Sequence, residues 1–367
     1  MSDIRIIRLA LSDSAPVAGL VNEGLELTDA EVLAKTEVGN NQLTLGGIVY
    51  SGITSICTDY SGNIYGVDSS RNCVVKIEED GRISWVAGSQ AGASGNNGTL
   101  NDVAAVTARF NGPKGIACDK SGTLYIADTS NHQIRTIKGG KVNVLAGSAG
   151  LSGLTDGAGE VARFYNPYDI AVDKAGIVWV ADRSNHALRK IDNNGTVLTV
   201  AGNGSSGNFI TNDANSTATN YETYYANKNT ASFNLPDAIT VDLQGNVFIY
   251  DSGNYIIKKY TADGKLYRYS GSGNVGRSLG VTDLGTVATC PAFTCSYTSI
   301  EDLAADASGN VYAVDYIAEG SRLVTIDRNG KPAEVADWDA NSYAGPNALA
   351  CSPAQTLFVV NGSTQRQ

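Results

Sequence analysis

This sequence of 367 residues has few charged residues, two histidines and no long hydrophobic run. Charged residues make up 17% of the chain, whereas about 25% is usual for a soluble domain. The 27 basic residues are outnumbered by 37 acidic ones, and no Lys/Arg cluster offsets the net charge of −10. Nucleic acid is therefore not an expected partner. No apolar stretch approaches the roughly 18 residues that cross a bilayer, so membrane insertion is not expected either.

Cysteine is also sparse, and the six cysteines follow neither a disulfide framework nor a zinc-binding spacing. Cys290 and Cys295 lie in a predicted connection, where they either close a small disulfide loop or remain free. The others fall on predicted strands and are expected to be buried free thiols. These are Cys57, Cys73, Cys118 and Cys351.

No signal peptide is expected in the first residues, because Met1-Ser2-Asp3-Ile4-Arg5 lacks a basic region followed by an apolar core. The connections are rich in Gly, Ser, Thr, Asn and Tyr, a weakly charged composition that is typical of proteins working outside a cell. A virion or cytoplasmic location is therefore expected.

What the sequence does contain is a repeat of about 35 residues. Each copy has a turn of the form Asp-x-x-Gly, an aromatic residue three positions after the Gly, and a second Asp three positions later. Five copies share this register. They begin at Asp59, Asp119, Asp173, Asp242 and Asp306. A side chain that recurs at one repeat position is expected to serve the repeat, so function is sought where the copies differ.

Each copy predicts a four-stranded antiparallel meander. In the copy from 113 to 147, short apolar runs alternate with turns at 119–122, 128–131 and 139–140. Such a sheet has two faces and two edges to protect, and radial stacking of several copies buries the faces and leaves only short edges. The predicted fold is an all-β, six-bladed β-propeller of four-stranded blades.

The whole chain, 1–367, is expected to form this single domain. The last copy stops after two strands, and the first residues, 4–19, resemble the missing pair. We therefore predict that N-terminal strands join the C-terminal half blade and close the ring. The predicted blades are 53–88, 113–147, 167–202, 236–271, 300–336, and 346–361 completed by 4–19.

Two of the copies resemble the NHL repeat family. The copy that begins Ala162-Arg163-Phe164-Tyr165-Asn166-Pro167 continues to Asn185-His186-Ala187-Leu188-Arg189, and the preceding copy has Ala108-Arg109-Phe110 and Asn131-His132-Gln133-Ile134-Arg135. This resemblance implies a propeller that binds protein, nucleic acid or glycan. A minority of relatives are lyases or related hydrolytic propellers with a metal in the central channel.

The recurrent polar residues predict little catalytic chemistry. His132 and His186 share one repeat position, so we expect a turn or inter-blade packing role for them. The second Asp of each copy is interpreted as a turn cap. Four carboxylates could gather at one mouth of the channel, either as a solvated acidic rim, which we favour, or as oxygen ligands for Ca²⁺. They are Asp169, Asp237, Glu301 and Asp302. No cofactor is expected.

The long connection from 203 to 235 predicts a contact surface. It combines Phe209, Tyr221, Tyr224 and Tyr225 with Ser, Gly and Asn, a composition that binding loops favour. The connections 20–52, 89–112, 148–166 and 272–299 should emerge on the same side of the ring.

The sequence therefore predicts a non-catalytic structural and interaction module. It would bind protein partners through these loops, as a component of a larger assembly such as a phage virion. The alternatives are an enzyme, lyase- or lactonase-like, with a cation at the acidic channel mouth, and a glycan-binding adhesin that uses the loop tyrosines.

Overall fold

The computed structural model describes residues 5–10, 44–45, 48–49, 52–77, 83–88, 103–207, 231–275, 295–317, 320–334, 346–353 and 356–361. Within these ranges the chain is built from β-strands and short 3₁₀ helices. None of the helices in the described ranges has the length and hydrophobicity needed to cross a membrane.

The strands are numbered in chain order. They are β1 (Arg5–Ala10), β2 (Thr44–Leu45), β3 (Ile48–Val49), β4 (Ile53–Thr58), β5 (Ile64–Asp68), β6 (Cys73–Ile77), β7 (Ile83–Gly88), β8 (Val103–Ala104), β9 (Ile116–Cys118), β10 (Leu124–Asp128), β11 (Gln133–Lys138), β12 (Lys141–Gly147), β13 (Gly157–Ala158), β14 (Pro167–Val172), β15 (Val178–Asp182), β16 (Ala187–Ile191), β17 (Thr196–Ala201), β18 (Pro236–Val241), β19 (Val247–Asp251), β20 (Ile256–Tyr260), β21 (Leu266–Ser270), β22 (Ile300–Ala305), β23 (Val311–Ile317), β24 (Gly320–Ile326), β25 (Pro332–Glu334), β26 (Pro346–Cys351) and β27 (Thr356–Asn361). The 3₁₀ helices are Ala105–Thr107, Thr129–Asn131, Gly159–Val161, Arg183–Asn185 and Ser252–Asn254.

The strands form an all-β propeller of antiparallel sheets. Blade 1 is β4–β7, blade 2 is β9–β12 with β8 added at its outer edge, blade 3 is β14–β17 with β13 added likewise, blade 4 is β18–β21 and blade 5 is β22–β25. The first strand of each blade is innermost and contacts the first strand of the next blade. Strands β2 and β3 form a separate two-stranded sheet.

The two ends of the chain meet in a closing sheet with the strand order β1-β27-β26. Strand β1 pairs with β27 from Arg5 opposite Asn361 to Ala10 opposite Thr356, and β26 contacts the inner strands β22 and β4. The prediction of six four-stranded blades is therefore wrong. The ring has five blades of four or more strands, and the described strands β1, β27 and β26 close it. The segment 17–19, which was predicted to supply a fourth strand, lies outside the described residues.

The repeated motif is explained by the turn between the first two strands. In blade 2, Asp119 Oδ1 accepts hydrogen bonds from the backbone N–H groups of Ser121 (2.8 Å) and Thr123 (3.0 Å), and Oδ2 accepts one from the Tyr125 hydroxyl (3.0 Å). Gly122 has φ +76°, a conformation that glycine adopts without strain. Asp, Gly and the aromatic residue therefore recur together because they form one hydrogen-bonded turn.

The hydrophobic core lies between the blades. Phe110 packs between blades 1 and 2, Phe164 between blades 2 and 3, and Phe233 between blades 3 and 4, and each is completely buried. These phenylalanines belong to the connections that precede each inner strand. One blade is therefore stabilised largely by burying apolar area against its neighbours.

In four of the five copies the second Asp forms a buried ion pair, which corrects the interpretation of this residue as a turn cap. Its partner is a basic residue seven positions later, on the third strand. The pairs are Asp128–Arg135 (3.6 Å), Asp182–Arg189 (2.7 Å), Asp251–Lys258 (2.6 Å) and Asp315–Arg322 (2.6 Å). The same carboxylates also accept backbone N–H groups of the incoming connection, such as that of Tyr165 on Asp182 (2.8 Å). Each pair therefore ties the connection to its own blade.

Cys57, Cys73, Cys118 and Cys351 are free thiols. Cys57, Cys73 and Cys295 are buried, whereas Cys118 and Cys351 are half-buried. Cys290 lies outside the described residues, so a Cys290–Cys295 disulfide stays a prediction.

Candidate functional site

The inner strands surround a central channel with a cavity of about 150 Å³. Strands β4, β9, β14, β18, β22 and β26 all contribute to its wall. The volume suits several water molecules or a small solute, and it is below the range of about 300–1,000 Å³ that drug-sized ligands need.

Three polar side chains on alternate inner strands bridge the channel wall. The Ser55 hydroxyl accepts the backbone N–H of Ile116 (3.3 Å) on the next inner strand. Asp169 Oδ2 accepts that of Ile239 (2.8 Å). Asp302 Oδ2 accepts that of Leu349 (2.8 Å). These side chains therefore join blade 1 to blade 2, blade 3 to blade 4, and blade 5 to the closing sheet.

The inner strands between them carry a small residue at the same repeat position. These residues are Gly115, Ala238 and Ala348. The reason is clearest at Gly115, where a Cβ would lie 2.5 Å from Asp169 Oδ1 and 2.7 Å from Asp169 Cα. The sequence shows this alternation of polar and small residues, but its meaning depends on which strands are neighbours in the ring.

Burial controls the ionisation of the two channel carboxylates. Loss of hydration raises the pKa of Asp169 to about 7, although the backbone N–H groups of Ile239 and Ile170 lower it. The pKa of Asp302 is raised well above its usual range by burial and then by the negative charge of Asp169. The two groups therefore interact across the channel, and neutral pH lies close to a change in the protonation of Asp169.

On each inner strand, the residue just before this polar or small position lies at the channel mouth. The side chains at the mouth position differ from strand to strand. They are Thr54, Lys114, Tyr168, Asp237 and Glu301. Each of the five is half-buried. This layer therefore presents a hydroxyl, a cation, an aromatic ring and two carboxylates in succession around one opening.

Arg183, from the 3₁₀ helix after β15, adds a second cation to this mouth. Its guanidinium forms an ion pair with Asp237 and lies 5.3 Å from the centre of the Tyr168 ring. Lys114 Nζ lies 5.8 Å from the centre of the same ring. The mouth thus has cations near blades 2 and 3 and carboxylates at blades 4 and 5, with Tyr168 between the two cations.

The four carboxylates predicted as an acidic rim or a Ca²⁺ site are not brought together as a set of ligands. Asp169 and Asp302 bond to neighbouring strands, Asp237 pairs with Arg183, and Glu301 accepts the Ser299 hydroxyl (3.3 Å). In the described part of the chain, no group of three or more His, Cys, Asp or Glu residues is arranged to hold a metal ion.

The two histidines lie between blades. His132 Nδ1 accepts the backbone N–H of Asn166 (3.2 Å), and His186 Nδ1 accepts that of Leu235 (3.1 Å). Asn72 Oδ1 serves the same purpose in blade 1, where it accepts the N–H of Gly112 (2.7 Å). Burial lowers the pKa of both histidines.

The predicted binding residues Phe209, Tyr221, Tyr224 and Tyr225 lie outside the described residues. Sequence analysis missed Lys114, Tyr168 and Arg183. One signal in the sequence could have revealed them. The residue type at the mouth position differs in every copy, whereas the copies agree closely at other positions.

Comparison with protein families matches the NHL repeat at residues 110–137 and 164–191. The chain is 42% identical over 98 residues to NHL repeat-containing protein 2 of Gallus gallus, which covers 26% of this chain and 13% of that protein. It is 29% identical over 271 residues to the chloroplastic protein SUPPRESSOR OF QUENCHING 1 of Arabidopsis thaliana, covering 71% of this chain and 24% of that protein. The chain thus spans about a quarter or less of the length of these two relatives.

Among solved structures, the fold is similar to that of a gluconolactonase from Xanthomonas campestris. The TM-score is 0.51 at 11% sequence identity, with 97% of this chain and 94% of that chain covered. At this identity the likeness concerns the propeller fold alone.

Proposed function

Because this chain is an NHL-repeat β-propeller, we propose that it is a non-catalytic binding module that recognises a protein partner with the channel-mouth face of its ring. The observation that carries this proposal is the mouth layer, in which each described inner strand offers a different side chain. Positions that serve the blade keep their chemistry from copy to copy, as the turn Asp and Gly do. A position at which the copies diverge is free to serve a surface that is unique to the molecule.

The ionisable groups that a catalyst would need are largely occupied in holding blades together. His132 and His186 accept backbone N–H groups, and Asp169 and Asp302 do the same across the channel. A general acid or base must instead reach a proton of the substrate. These bonds favour binding over catalysis.

The mouth also has the composition of a recognition surface. Arginine and tyrosine are enriched among the residues that dominate protein interfaces. Arg183 and Tyr168 lie together there. Lys114 and Glu301 supply one positive and one negative charge that could match opposite charges on a partner. The inter-blade connections reach the inner strands on this same face. The comparisons give no support to a place in a virion, and it forms no part of this proposal.

Charge reversal on the two faces of one blade tests the proposal. The protein is immobilised, proteins are captured from an extract of the source organism, and the captured set is quantified by mass spectrometry for the wild type, Lys114→Glu and Lys120→Glu. Lys120 is an exposed residue of the turn on the opposite face, so it supplies the same charge change away from the mouth. A partner retained by Lys120→Glu and lost by Lys114→Glu supports mouth recognition, and equal capture by both variants contradicts it.

A second candidate is a lactone-hydrolysing enzyme. Asp169, with its pKa raised to about 7 beside the channel cavity, has the ionisation that a general acid–base would need. Turnover of gluconolactone, measured with and without added divalent cations, decides between the two candidates. Hydrolysis that Asp169→Asn and Asp302→Asn both abolish would favour the enzyme, whereas a rate equal to that of buffer favours the binding module.

A further inference from the structure

Two thiols face each other across the interface between blades 1 and 2. Cys57 lies on β4 and Cys118 on β9, the inner strands of these blades. Both belong to one inter-blade hydrophobic cluster, and both line the channel cavity. They are far apart in sequence and become neighbours only when the ring forms.

Their repeat positions explain why they meet. Cys57 stands two residues before the turn Asp of its blade, and Cys118 stands one residue before the turn Asp of its own. Their side chains interact directly, and this contact adds to the effect of burial in raising the pKa of the Cys57 thiol. Tyr65 of blade 1 packs against the same hydrophobic cluster as both sulfurs, which places the pair at one point of the interface.

We propose that Cys57 and Cys118 are an oxidation site, at which a disulfide forms between blades 1 and 2. The inner strands of adjacent blades approach each other with Cα atoms within 8 Å, close to the separation of about 4.4–6.8 Å that a disulfide spans. The side chains of Cys57 and Cys118 already interact directly between these two strands.

A peroxide supplies the oxidising equivalents. The thiolate of Cys118, which is half-buried beside the cavity, attacks one peroxide oxygen and becomes a sulfenic acid, and one water leaves. The sulfur of Cys57 then attacks the sulfenic sulfur, the S–S bond forms, and the hydroxyl leaves as a second water. Two thiols are oxidised by two electrons in total, and one hydrogen peroxide is reduced to two waters. Cys57 is buried and has a raised pKa, so it reacts second.

The chain contains a matched control for this chemistry. Cys351, the last residue of β26, occupies the same repeat position as Cys118. It stands one residue before Ser352, which replaces the turn Asp in this copy. It packs against a cluster that contains Ala304, the residue of blade 5 that corresponds to Cys57. An oxidised Cys351 therefore has the methyl group of Ala304 beside it, whereas an oxidised Cys118 has the thiol of Cys57. Cys351 cannot form the corresponding disulfide.

The test treats the full-length protein with hydrogen peroxide under native conditions, alkylates the remaining thiols and digests the product for mass spectrometry. We expect a cross-linked peptide pair containing Cys57 and Cys118, and two fewer alkylated cysteines than in the reduced protein. Dithiothreitol should reverse both changes. Oxidation in guanidinium should instead yield mixed pairings, since the selectivity depends on the folded ring.

Three variants complete the test. Cys57→Ala and Cys118→Thr use residues that other blades carry at these positions, Ala117 and Thr58, so they are expected to fold. Both should abolish the cross-link, and Cys118 should proceed to sulfinic acid in Cys57→Ala. Cys351→Thr should form the cross-link in wild-type yield. Conversion of Cys118 to sulfinic acid in the native wild type without a cross-link, or its pairing with another cysteine, overturns the proposal.

Discussion

Asp182 and Arg189 form an ion pair with no solvent contact, in which Arg189 Nη1 donates to Asp182 Oδ2 at 2.7 Å. The guanidinium also lies 5.1 Å from the centre of the Phe164 ring, in the connection that the pair holds. Blade 1 departs from this arrangement. Asp68 is completely buried there, its Oδ2 has no hydrogen-bond partner among the described residues, and the position seven residues later is Val75.

The contrast predicts opposite effects of removing the two carboxylates. Asp182→Ala removes the buried partner of Arg189 and leaves the part-exposed Asp156 (3.0 Å) as its remaining carboxylate. The free energy of unfolding should therefore fall by about 3 kcal/mol, the low end of the range for breaking a buried ion pair. Asp68→Asn replaces a buried carboxyl group for which the described residues supply no ion pair, so it should leave stability unchanged or raise it. Urea denaturation of the two variants and the wild type measures the difference. An equal decrease in the free energy of unfolding of both variants would contradict the prediction that the ion pair stabilises its blade.

The channel carboxylate Asp169 should make the protein less stable as the pH rises. Its pKa is raised from 3.8 to about 7, so the folded state keeps a proton that the unfolded chain releases. Stability therefore falls between about pH 4 and pH 7, by an amount of the order of 4 kcal/mol. Asp169→Asn keeps an oxygen for the Ile239 N–H and removes the titration. Denaturation at several pH values should give a flatter profile for this variant, and identical profiles would contradict the assignment.

The inter-blade histidines should act in the opposite direction. Because burial lowers the pKa of His186, the folded state favours the neutral ring whose Nδ1 accepts the Leu235 N–H. The stability that this bond contributes is present above about pH 6.5 and is lost as the pH falls. His186→Ala should cost about 1–3 kcal/mol at pH 8, since it leaves a backbone N–H unsatisfied.

His186→Asn is the matched control, because Asn72 makes the equivalent bond in blade 1. It should retain most of the stability at pH 8 and lose the acid dependence that the wild type shows below pH 6.5. Differential scanning calorimetry at pH 8 and pH 5.5 measures both effects. If His186→Asn loses as much stability at pH 5.5 as the wild type does, a group other than His186 causes the acid dependence.

Tyrosines in the connection 203–235 remain a predicted contact surface on the mouth side. Replacing Tyr221, Tyr224 and Tyr225 together by Ala should weaken binding of the captured protein partner by about 30-fold, the effect of losing one aromatic hot spot. Tyr60→Ala is the control, because Tyr60 is 61% exposed in a turn of the opposite face. Surface plasmon resonance measures the affinities. A glycan array is run in parallel, and a signal there that only the triple variant loses would favour the adhesin instead.

Much of the fold could be predicted because its signals are local. The turn formed by Asp119, Gly122 and Tyr125 uses groups within seven consecutive residues, so its pattern is visible in the chain and repeats with each blade. The pairing of the chain ends was also predictable, since the last copy stops after two strands. The fourth strand predicted for that sheet, at 17–19, lies outside the described residues.

The candidate site was predicted less well. Asp169 and Asp302 line the channel cavity, and their roles depend on the backbone N–H groups of Ile239 and Leu349 on the next strand around the ring. The sequence shows no sign that Arg183 reaches Asp237, which is 54 residues away.

What the sequence determined by itself is the blade: its turns, its strands and the residues it buries, since these depend on hydrogen bonds and side-chain alternation within about 35 residues. Only the tertiary structure decided which carboxylates bridge strands, which ones pair with a base, and which thiols meet. Those contacts join residues of different strands and blades. Their geometry is set when the ring closes and brings one inner strand against the next.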